Sequence, residues 1–262
     1  MIAAGIDIGS STAKSVLIEN GNVIAAAVLP IALDFTEAAE KILNHSMESI
    51  GVTKAQIGFT VVTGYGRRSA TFGDKIVTEI LCGATGAKYV SSRIRTVIDI
   101  GGQDTKIIRL DDSGKIASFR MNDKCAAGTG RFLEVMARAL SIDIDEIGSL
   151  AVESKKPCQI SSICTVFAES EAITLRAKGE SVSDVLAGIH KSVVSRVAAQ
   201  GASVGYQEEI MLIGGVAKNI AIRKYMMEEI GFKIHFPEMP QVVVALGAAV
   251  IAENELRHKR PI

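Results

Sequence analysis

The chain has 262 residues, 48% of them hydrophobic, with 29 basic residues balancing 29 acidic ones and a mean hydropathy of +0.28. It is long enough to bury one large core or two modest ones, and its zero net charge gives no electrostatic case for nucleic acid or an anionic membrane surface. No run approaches the length of a spanning helix, the opening Met1-Ile2-Ala3-Ala4-Gly5 lacks the basic region of a signal peptide, and four cysteines make no disulfide framework, so a reducing cytoplasm is expected.

Ile6-Asp7-Ile8-Gly9 reads as a strand entering a tight glycine turn, with Lys14 seven residues after the aspartate and a hairpin turn at Asn20-Gly21-Asn22. Residues 35–50 carry Ala38, Ile42 and Leu43 at helical spacing. Val61-Val62-Thr63-Gly64-Tyr65-Gly66 reads as a strand ending in a loop. Ile98-Asp99-Ile100-Gly101 then repeats the opening. Lys106 again follows the aspartate by seven, Ile107-Ile108-Arg109-Leu110 makes the strand, and Asp111-Asp112-Ser113-Gly114 makes the turn. The offset is 92 residues for both pairs (7 to 99, 14 to 106). A duplicated unit at that spacing predicts two similar subdomains rather than a short-period solenoid.

The remainder reads as mainly helical. Phe132, Val135, Met136, Ala139 and Leu140 form an apolar stripe on a helix from about 129 to 140. Further helices are expected over 165–178 and 183–204, the latter with Val185, Leu186, Ile189, Val193 and Val197 inward. Ile210-Met211-Leu212-Ile213 reads as a buried strand entering Gly214-Gly215, and Leu246 to Glu255 as a closing helix. Alternating strands and helices predict an α/β fold. The expected domains are 1–94, joined by a final helix of about 246–262, and 95–245, with boundaries near 93–96 and in 245–250.

Asp7-Ile8-Gly9-Ser10-Ser11-Thr12 sets an acid at a strand end before a glycine and hydroxyls. Glycine lets the backbone approach a phosphate, and successive N–H groups with hydroxyls surround it. Asp7 is suited to hold Mg²⁺ through a water. Asp99-Ile100-Gly101-Gly102-Gln103-Asp104 repeats the device. The glycine pair Gly214-Gly215, with Asn219 after it, suits close approach to a base or ribose. No P-loop is present, and no dinucleotide fingerprint follows a strand. Three such loops resemble the ATPase fold shared by actin, the 70-kDa heat-shock chaperones and sugar kinases. That resemblance implies two ribonuclease-H-like domains with ATP and Mg²⁺ in a cleft between them, with Asp7 and Asp99 on Mg²⁺, Gly9 to Thr12 and Gly101 to Gln103 on phosphates, and Gly214, Gly215 and Asn219 on adenosine. Gln103 and Asp104 are the candidates to orient the attacking water.

Cys125 and Cys164 lie 39 residues apart (125 to 164) and no C-x-x-C occurs, against a zinc finger or thioredoxin-type pair. Each directly precedes an expected helix start, whose partial positive charge favours an anionic cluster. Thr165 is the expected cap of the second of these helices. Packing residues, a zinc site shared between subunits and half of a four-cysteine iron–sulfur site all fit the spacing. Cys82 reads as a buried structural thiol and Cys158 as a loop or strand residue without chemistry.

Asn122-Asp123-Lys124-Cys125-Ala126-Ala127-Gly128-Thr129-Gly130-Arg131-Phe132-Leu133 and Ser161-Ser162-Ile163-Cys164-Thr165-Val166-Phe167-Ala168-Glu169-Ser170-Glu171 closely resemble the signature stretches of the activators of 2-hydroxyacyl-CoA dehydratases. Val97-Ile98-Asp99-Ile100-Gly101-Gly102-Gln103-Asp104 and Thr63-Gly64-Tyr65-Gly66-Arg67 also look like that family, which includes ATPase subunits of benzoyl-CoA reductases. The resemblance implies a homodimer that shares one [4Fe-4S] cluster on Cys125 and Cys164 of each subunit. It further implies ATP/ADP and Mg²⁺ as cofactors and a donor such as ferredoxin or flavodoxin. The acceptor is an iron–sulfur enzyme, a 2-hydroxyacyl-CoA dehydratase or related reductase, that receives one low-potential electron. Leu29-Pro30-Ile31-Ala32-Leu33-Asp34-Phe35 departs from the family by lacking a glycine- and threonine-rich loop. A sugar-type kinase of the same fold, or a nucleotide-switched zinc-bridged dimer, remain the alternatives.

Overall fold

The computed structural model describes residues 1–31, 34–161 and 164–259. Ala32-Leu33, Ser162-Ile163 and the chain from Arg260, including the end of the closing helix expected to reach 262, lie outside the described residues. The chain separates into two compact units. One comprises Met1–Ile94, Leu110–Ile116 and the chain from Pro237, and the other comprises Arg95–Arg109 and Ala117–Phe236.

In the first unit, β1 (Ile2–Ile8), β2 (Thr12–Glu19) and β3 (Asn22–Pro30) form an antiparallel meander. β4 (Ile57–Thr63) runs parallel to β1 on its other side, and β5 (Lys75–Ile76) lies beyond it, giving the order β3-β2-β1-β4-β5. All seven residues of β1 are buried, as a central strand covered on both faces requires. Its side chains alternate. Ile2, Ala4, Ile6 and Ile8 join Ala39, Ile42, Leu43 and Met47 of α1 (Phe35–Ser49) in one core. Asp34 caps α1, its carboxylate accepting from the N–H groups of Thr36 and Glu37. The helix buries Ala39 rather than Ala38, one position along from the expected stripe.

The opposite face of the sheet meets α8 (Val243–Lys259), which packs Ala245, Leu246 and Ala249 on Val16 and Ile18. A Cβ on Gly5 would run into the Ala245 carbonyl and the Ala249 backbone, so this strand residue must be glycine for the helix to lie so close. α2 (Glu79–Val90) meets α8 in the same way, since a Cβ on Gly247 would strike the Cys82 carbonyl. The closing helix starts three residues before the expected Leu246 because a 3-10 turn over Pro240–Val242 leads into it and buries Val242 on the same sheet. The chain accordingly returns to this unit at Pro237, ahead of the 245–250 expected.

The second unit repeats the sheet. β6 (Thr96–Ile100) is antiparallel to β7 (Thr105–Leu110), which neighbours β8 (Ile116–Asn122). β9 (Ile210–Ile213) is parallel to β6, and β10 (Ile234–His235) is parallel to β9. The order β8-β7-β6-β9-β10 is that of the first sheet, strand for strand. Helices α3 (Gly130–Ala139), α4 (Ile147–Val152), α5 (Thr165–Ala177), α6 (Val182–Val204) and α7 (Ile220–Ile230) carry its core. α3 buries Phe132, Leu133, Met136 and Ala137, while Val135, Ala139 and Leu140 of the expected stripe are only partly covered. Val185, Leu186, Ile189, Val193 and Val197 of α6 are buried as the periodicity predicts. No helix among the described residues is long and apolar enough to cross a membrane.

Candidate functional site

Asp7 and Lys14 stand opposite each other in the β1–β2 register, and Asp99 and Lys106 stand opposite each other between β6 and β7. Lys14 Nζ lies 3.1 Å from Asp7 Oδ2. Lys106 Nζ lies 3.7 Å from Asp99 Oδ2 and 2.7 Å from Asp104 Oδ1. Both aspartates are buried, at 6% and 7% exposure, where an unpaired charge would be strongly disfavoured. Each hairpin closes alike, Gly9 N–H donating to Thr12 O at 3.0 Å and Gly101 N–H to Asp104 O at 2.9 Å. The lysines that mark the repeat in the sequence therefore have a physical task, each placing a cation beside a buried carboxylate at a loop mouth.

A third shared feature escaped the sequence reading. Asp7 pairs with Thr63 of β4 and Asp99 with Ile213 of β9. The next residue in each case is a glycine with positive φ, Gly64 at +96° and Gly214 at +90°. A Cβ on Gly64 would strike the Ile8 carbonyl and lie 2.5 Å from Asp7 Oδ1. One on Gly214 would strike the Ile100 carbonyl and lie 2.5 Å from Asp99 Oδ1. Each unit thus sets a bare glycine backbone against its buried carboxylate. The pair is hidden in the sequence because α3 to α6 intervene between β8 and β9, so the 92-residue offset no longer holds there. Arg67 fixes the first of these loops, Nη1 donating to Gly64 O at 2.8 Å.

Ser10, Ser11 and Thr12 lie at the first loop with hydroxyls that make no hydrogen bond among the described residues, and Ser11 is exposed. In the second loop Gln103 is exposed, whereas Asp104 is held by Lys106. Gly214 leads into a 3-10 turn over Gly215–Lys218. Asn219 caps α7, its Oδ1 accepting from the N–H groups of Ala221 and Ile222 at 3.0 and 3.1 Å, and its Nδ2 lies 3.0 Å from His190 Nε2. Its side chain therefore turns inward, and any role beside adenosine falls to its backbone. His190 is fully buried on α6 with Nδ1 2.7 Å from Leu186 O. Burial lowers its pKa to about 4, so the ring is neutral, donating from Nδ1 and accepting from Asn219.

Cys125 and Cys164 both belong to the second unit, both half-buried and neither in a disulfide. Asn122 organises the Cys125 loop. Its Nδ2 donates to Cys125 O at 2.8 Å and Ala127 O at 3.2 Å, and its Oδ1 accepts from Cys125 N–H at 3.3 Å. Two details correct the sequence reading. The first two N–H groups of α3, from Gly130 and Arg131, donate to Gly101 O and Gly102 O, so these two are already engaged by the second hairpin. Cys164 itself occupies the N-cap of α5, with no side-chain cap bond, and Thr165 is the first helical residue. Cys82 is fully buried on α2 and burial pushes its thiol up to about 12. Cys158 is a half-buried loop residue whose N–H donates to Asp184 O. Among the described residues no three His, Cys, Asp or Glu side chains gather as a metal site. A four-thiolate centre would need Cys125 and Cys164 from each of two chains.

Two sheets of one order, each with a buried Asp–Lys hairpin and a glycine set against the aspartate, define an actin-like ATPase fold. The chain belongs to the BadF/BadG/BcrA/BcrD ATPase family, which it matches over residues 4–252. It is 41% identical over 260 residues to the 2-hydroxyisocaproyl-CoA dehydratase activator of Clostridioides difficile, covering 99% of this chain and 98% of that one. It is likewise 41% identical to the activator of lactoyl-CoA dehydratase of Anaerotignum propionicum, covering 99% of this chain and all of that one. The solved structure of the Clostridium difficile activator with bound ADPNP superposes with a TM-score of 0.94 at 40% identity, covering 100% of this chain and 99% of that one.

Proposed function

We propose that this chain is the ATP-hydrolysing activator of a 2-hydroxyacyl-CoA dehydratase or a related iron–sulfur reductase. It works as a homodimer that passes one electron per step from a donor such as ferredoxin or flavodoxin to the acceptor enzyme. The observation that carries the reading is the pairing, within one family chain, of duplicated Asp–Lys phosphate hairpins with two half-buried free thiols.

Gly9, Ser10, Ser11 and Thr12, and likewise Gly101, Gly102 and Gln103, are the phosphate-contacting residues of their loops. The uncommitted hydroxyls of Ser10, Ser11 and Thr12 and the N–H groups of Gly102 and Gln103, which meet no acceptor among the described residues, support this assignment. Gly214 and Gly215 give adenosine its backbone approach, and Asn219 fixes the turn that presents them. Asp7 and Asp99 hold Mg²⁺ through waters, and that ion neutralises phosphate charge when bound. The fit is favourable, because both carboxylates lie at loop mouths and the glycines beside them carry no side chain to block approach. Gln103 orients the attacking water. Asp104 is the weaker candidate because Lys106 already holds its carboxylate.

Cys125 and Cys164 supply two of the four thiolates of a [4Fe-4S] cluster, which provides a one-electron carrier when bound. Val166 and Phe167, immediately after Cys164, are 66% and 67% exposed. Apolar surface of that kind beside Cys164 supports burial against a second copy and an acceptor protein. Anaerobic purification followed by iron and sulfide analysis, visible absorption, EPR after dithionite and ATP hydrolysis tests the reading. Four irons per dimer with ATPase activity is the expected result. A colourless or zinc-bearing protein that still hydrolyses ATP would falsify the electron-transfer role.

A further inference from the structure

The start of α3 is held by the second phosphate hairpin. Gly130 N–H donates to Gly101 O at 2.9 Å and Arg131 N–H to Gly102 O at 2.7 Å. A helix start ordinarily finds its partners in a capping side chain, water or ligand, and Thr129 at the N-cap makes no side-chain cap bond here. The two accepting carbonyls belong to the peptide units 101–102 and 102–103. Each unit is a rigid plane whose C=O and N–H point in opposite directions. The other ends of these same planes are the N–H groups of Gly102 and Gln103, which meet no acceptor among the described residues. Gly130 sits directly on them, since a Cβ there would lie 3.2 Å from Gly101 O and 3.4 Å from Gly102 Cα.

A third link leaves the same hairpin. Thr105, fully buried at the start of β7, donates from Oγ1 to Gly128 O at 2.6 Å. Gly128 has φ of +89° and closes the loop that carries Cys125. That loop is internally tied, by Asn122 to Cys125 O and Ala127 O and by Thr129 Oγ1 to Ala126 O at 2.6 Å. These bonds tie the loop to itself, and Thr105 is where a side chain of the hairpin bonds to it.

We propose that Thr105 is the positioning residue that couples the Cys125 loop to nucleotide bound at the 101–103 backbone, with the two peptide planes acting as levers. A phosphate drawing on Gly102 N–H and Gln103 N–H turns the planes, and their carbonyls carry the start of α3 with them. Thr105 transmits the same displacement to Gly128 and so to Cys125. The inference rests on the reading that residues 101–103 hold phosphate, and the whole path lies within one unit.

Hydrogen–deuterium exchange on the full chain tests it, without nucleotide, with Mg-ADP and with a non-hydrolysable ATP analogue. Wild type should show nucleotide-dependent exchange at residues 125–131 that changes roughly tenfold, the factor one buried hydrogen bond carries. Thr105→Val should still bind nucleotide, with Kd changed by no more than about tenfold, and keep the response at 130–131, yet lose it at 125–128, and Thr105→Ser should restore it. A merely structural role would speed exchange equally with and without nucleotide and leave the difference intact. In the reconstituted dimer, the nucleotide-dependent EPR change should follow the same pattern. A wild-type response at 125–128 in Thr105→Val overturns the proposal. So does a wild type that protects 101–103 on binding nucleotide without any change at 125–131, an outcome that does not depend on how the variant folds. Nucleotide binding with no protection at 101–103 would instead overturn the phosphate assignment on which the lever depends.

Discussion

Lys14 and Asp7 form an ion pair of 3.1 Å across the β1–β2 ladder, and Asp7 is the one carboxylate within reach of that lysine among the described residues. Lys106, by contrast, lies between two carboxylates, Asp99 at 3.7 Å and Asp104 at 2.7 Å. The duplicated hairpins are therefore alike in plan and unequal in redundancy.

That inequality sets a first prediction. Asp7→Asn leaves Lys14 as a largely buried cation without a counter-charge, which costs about 3 kcal/mol. Asp99→Asn leaves Lys106 with Asp104 and should cost less than half of that. Both should reduce ATP hydrolysis on the order of 10²-fold, because each removes charge placed to organise the phosphates. Urea unfolding and steady-state ATPase rates measure the two effects, and equal stability losses would count against the redundancy of Lys106.

The cysteines sort by environment. Cys82 is fully buried and its thiol is raised to about 12, chiefly by desolvation. At pH 8 in native, cluster-free protein it should remain unmodified by iodoacetamide, whereas half-buried Cys125 and Cys164 should react. Cys125→Ser or Cys164→Ser should abolish iron binding, and Cys82→Ala should leave it at the wild-type level. Peptide mass spectrometry and iron analysis decide both, and loss of iron in Cys82→Ala would remove it from its structural role.

Much of this arrangement was legible in the sequence wherever a side chain declares its own surroundings. The 92-residue repeat of Asp7-Lys14 and Asp99-Lys106 is a strand register written out, because a seven-residue step across a tight hairpin sets the two side chains opposite each other. The apolar period of α6 likewise named its buried face. What stayed hidden are contacts made by backbone atoms of distant segments. Nothing in Gly130 or Arg131 announces that their N–H groups seek Gly101 O and Gly102 O. Gly64 reads as an ordinary loop glycine until parallel pairing of β1 and β4 sets it against Asp7. Asn219 looked like a polar group near a ligand loop, but helix capping and His190 claim its side chain.

His190 makes acid sensitivity a further test. Its folded-state pKa is about 4 against an ordinary 6.5, so folding favours the neutral ring. The associated stability is fully present above pH 6.5 and is lost as pH falls toward 4, because the unfolded chain takes up the proton first. A shift of that size corresponds to about 3 kcal/mol. Urea midpoints should therefore fall steeply between pH 6.5 and 4. His190→Gln should be less stable at pH 7 and flatter across that window. A variant with the wild-type pH slope would show that another group governs the acid limb.

The glycines beside the aspartates separate two kinds of strain. Gly64, Gly214 and Gly179 all have φ between +90° and +96°, a region that alanine enters only with strain of about 1 kcal/mol or more. At Gly179 an added Cβ would meet nothing within 4 Å, so Gly179→Ala should show the backbone strain alone. At Gly64 and Gly214 the methyl would also strike a strand-end carbonyl and press on Asp7 or Asp99. Gly64→Ala and Gly214→Ala should accordingly lose roughly 2–4 kcal/mol and displace the carboxylates that the proposed Mg²⁺ site uses. Nucleotide affinity should fall in these two variants and stay at the wild-type value in Gly179→Ala. Thermal unfolding with and without Mg-ADP reads both quantities in one experiment. A Gly214→Ala variant that retains the full ligand-induced rise in Tm would place the backbone at residue 214 clear of the nucleotide and overturn this prediction.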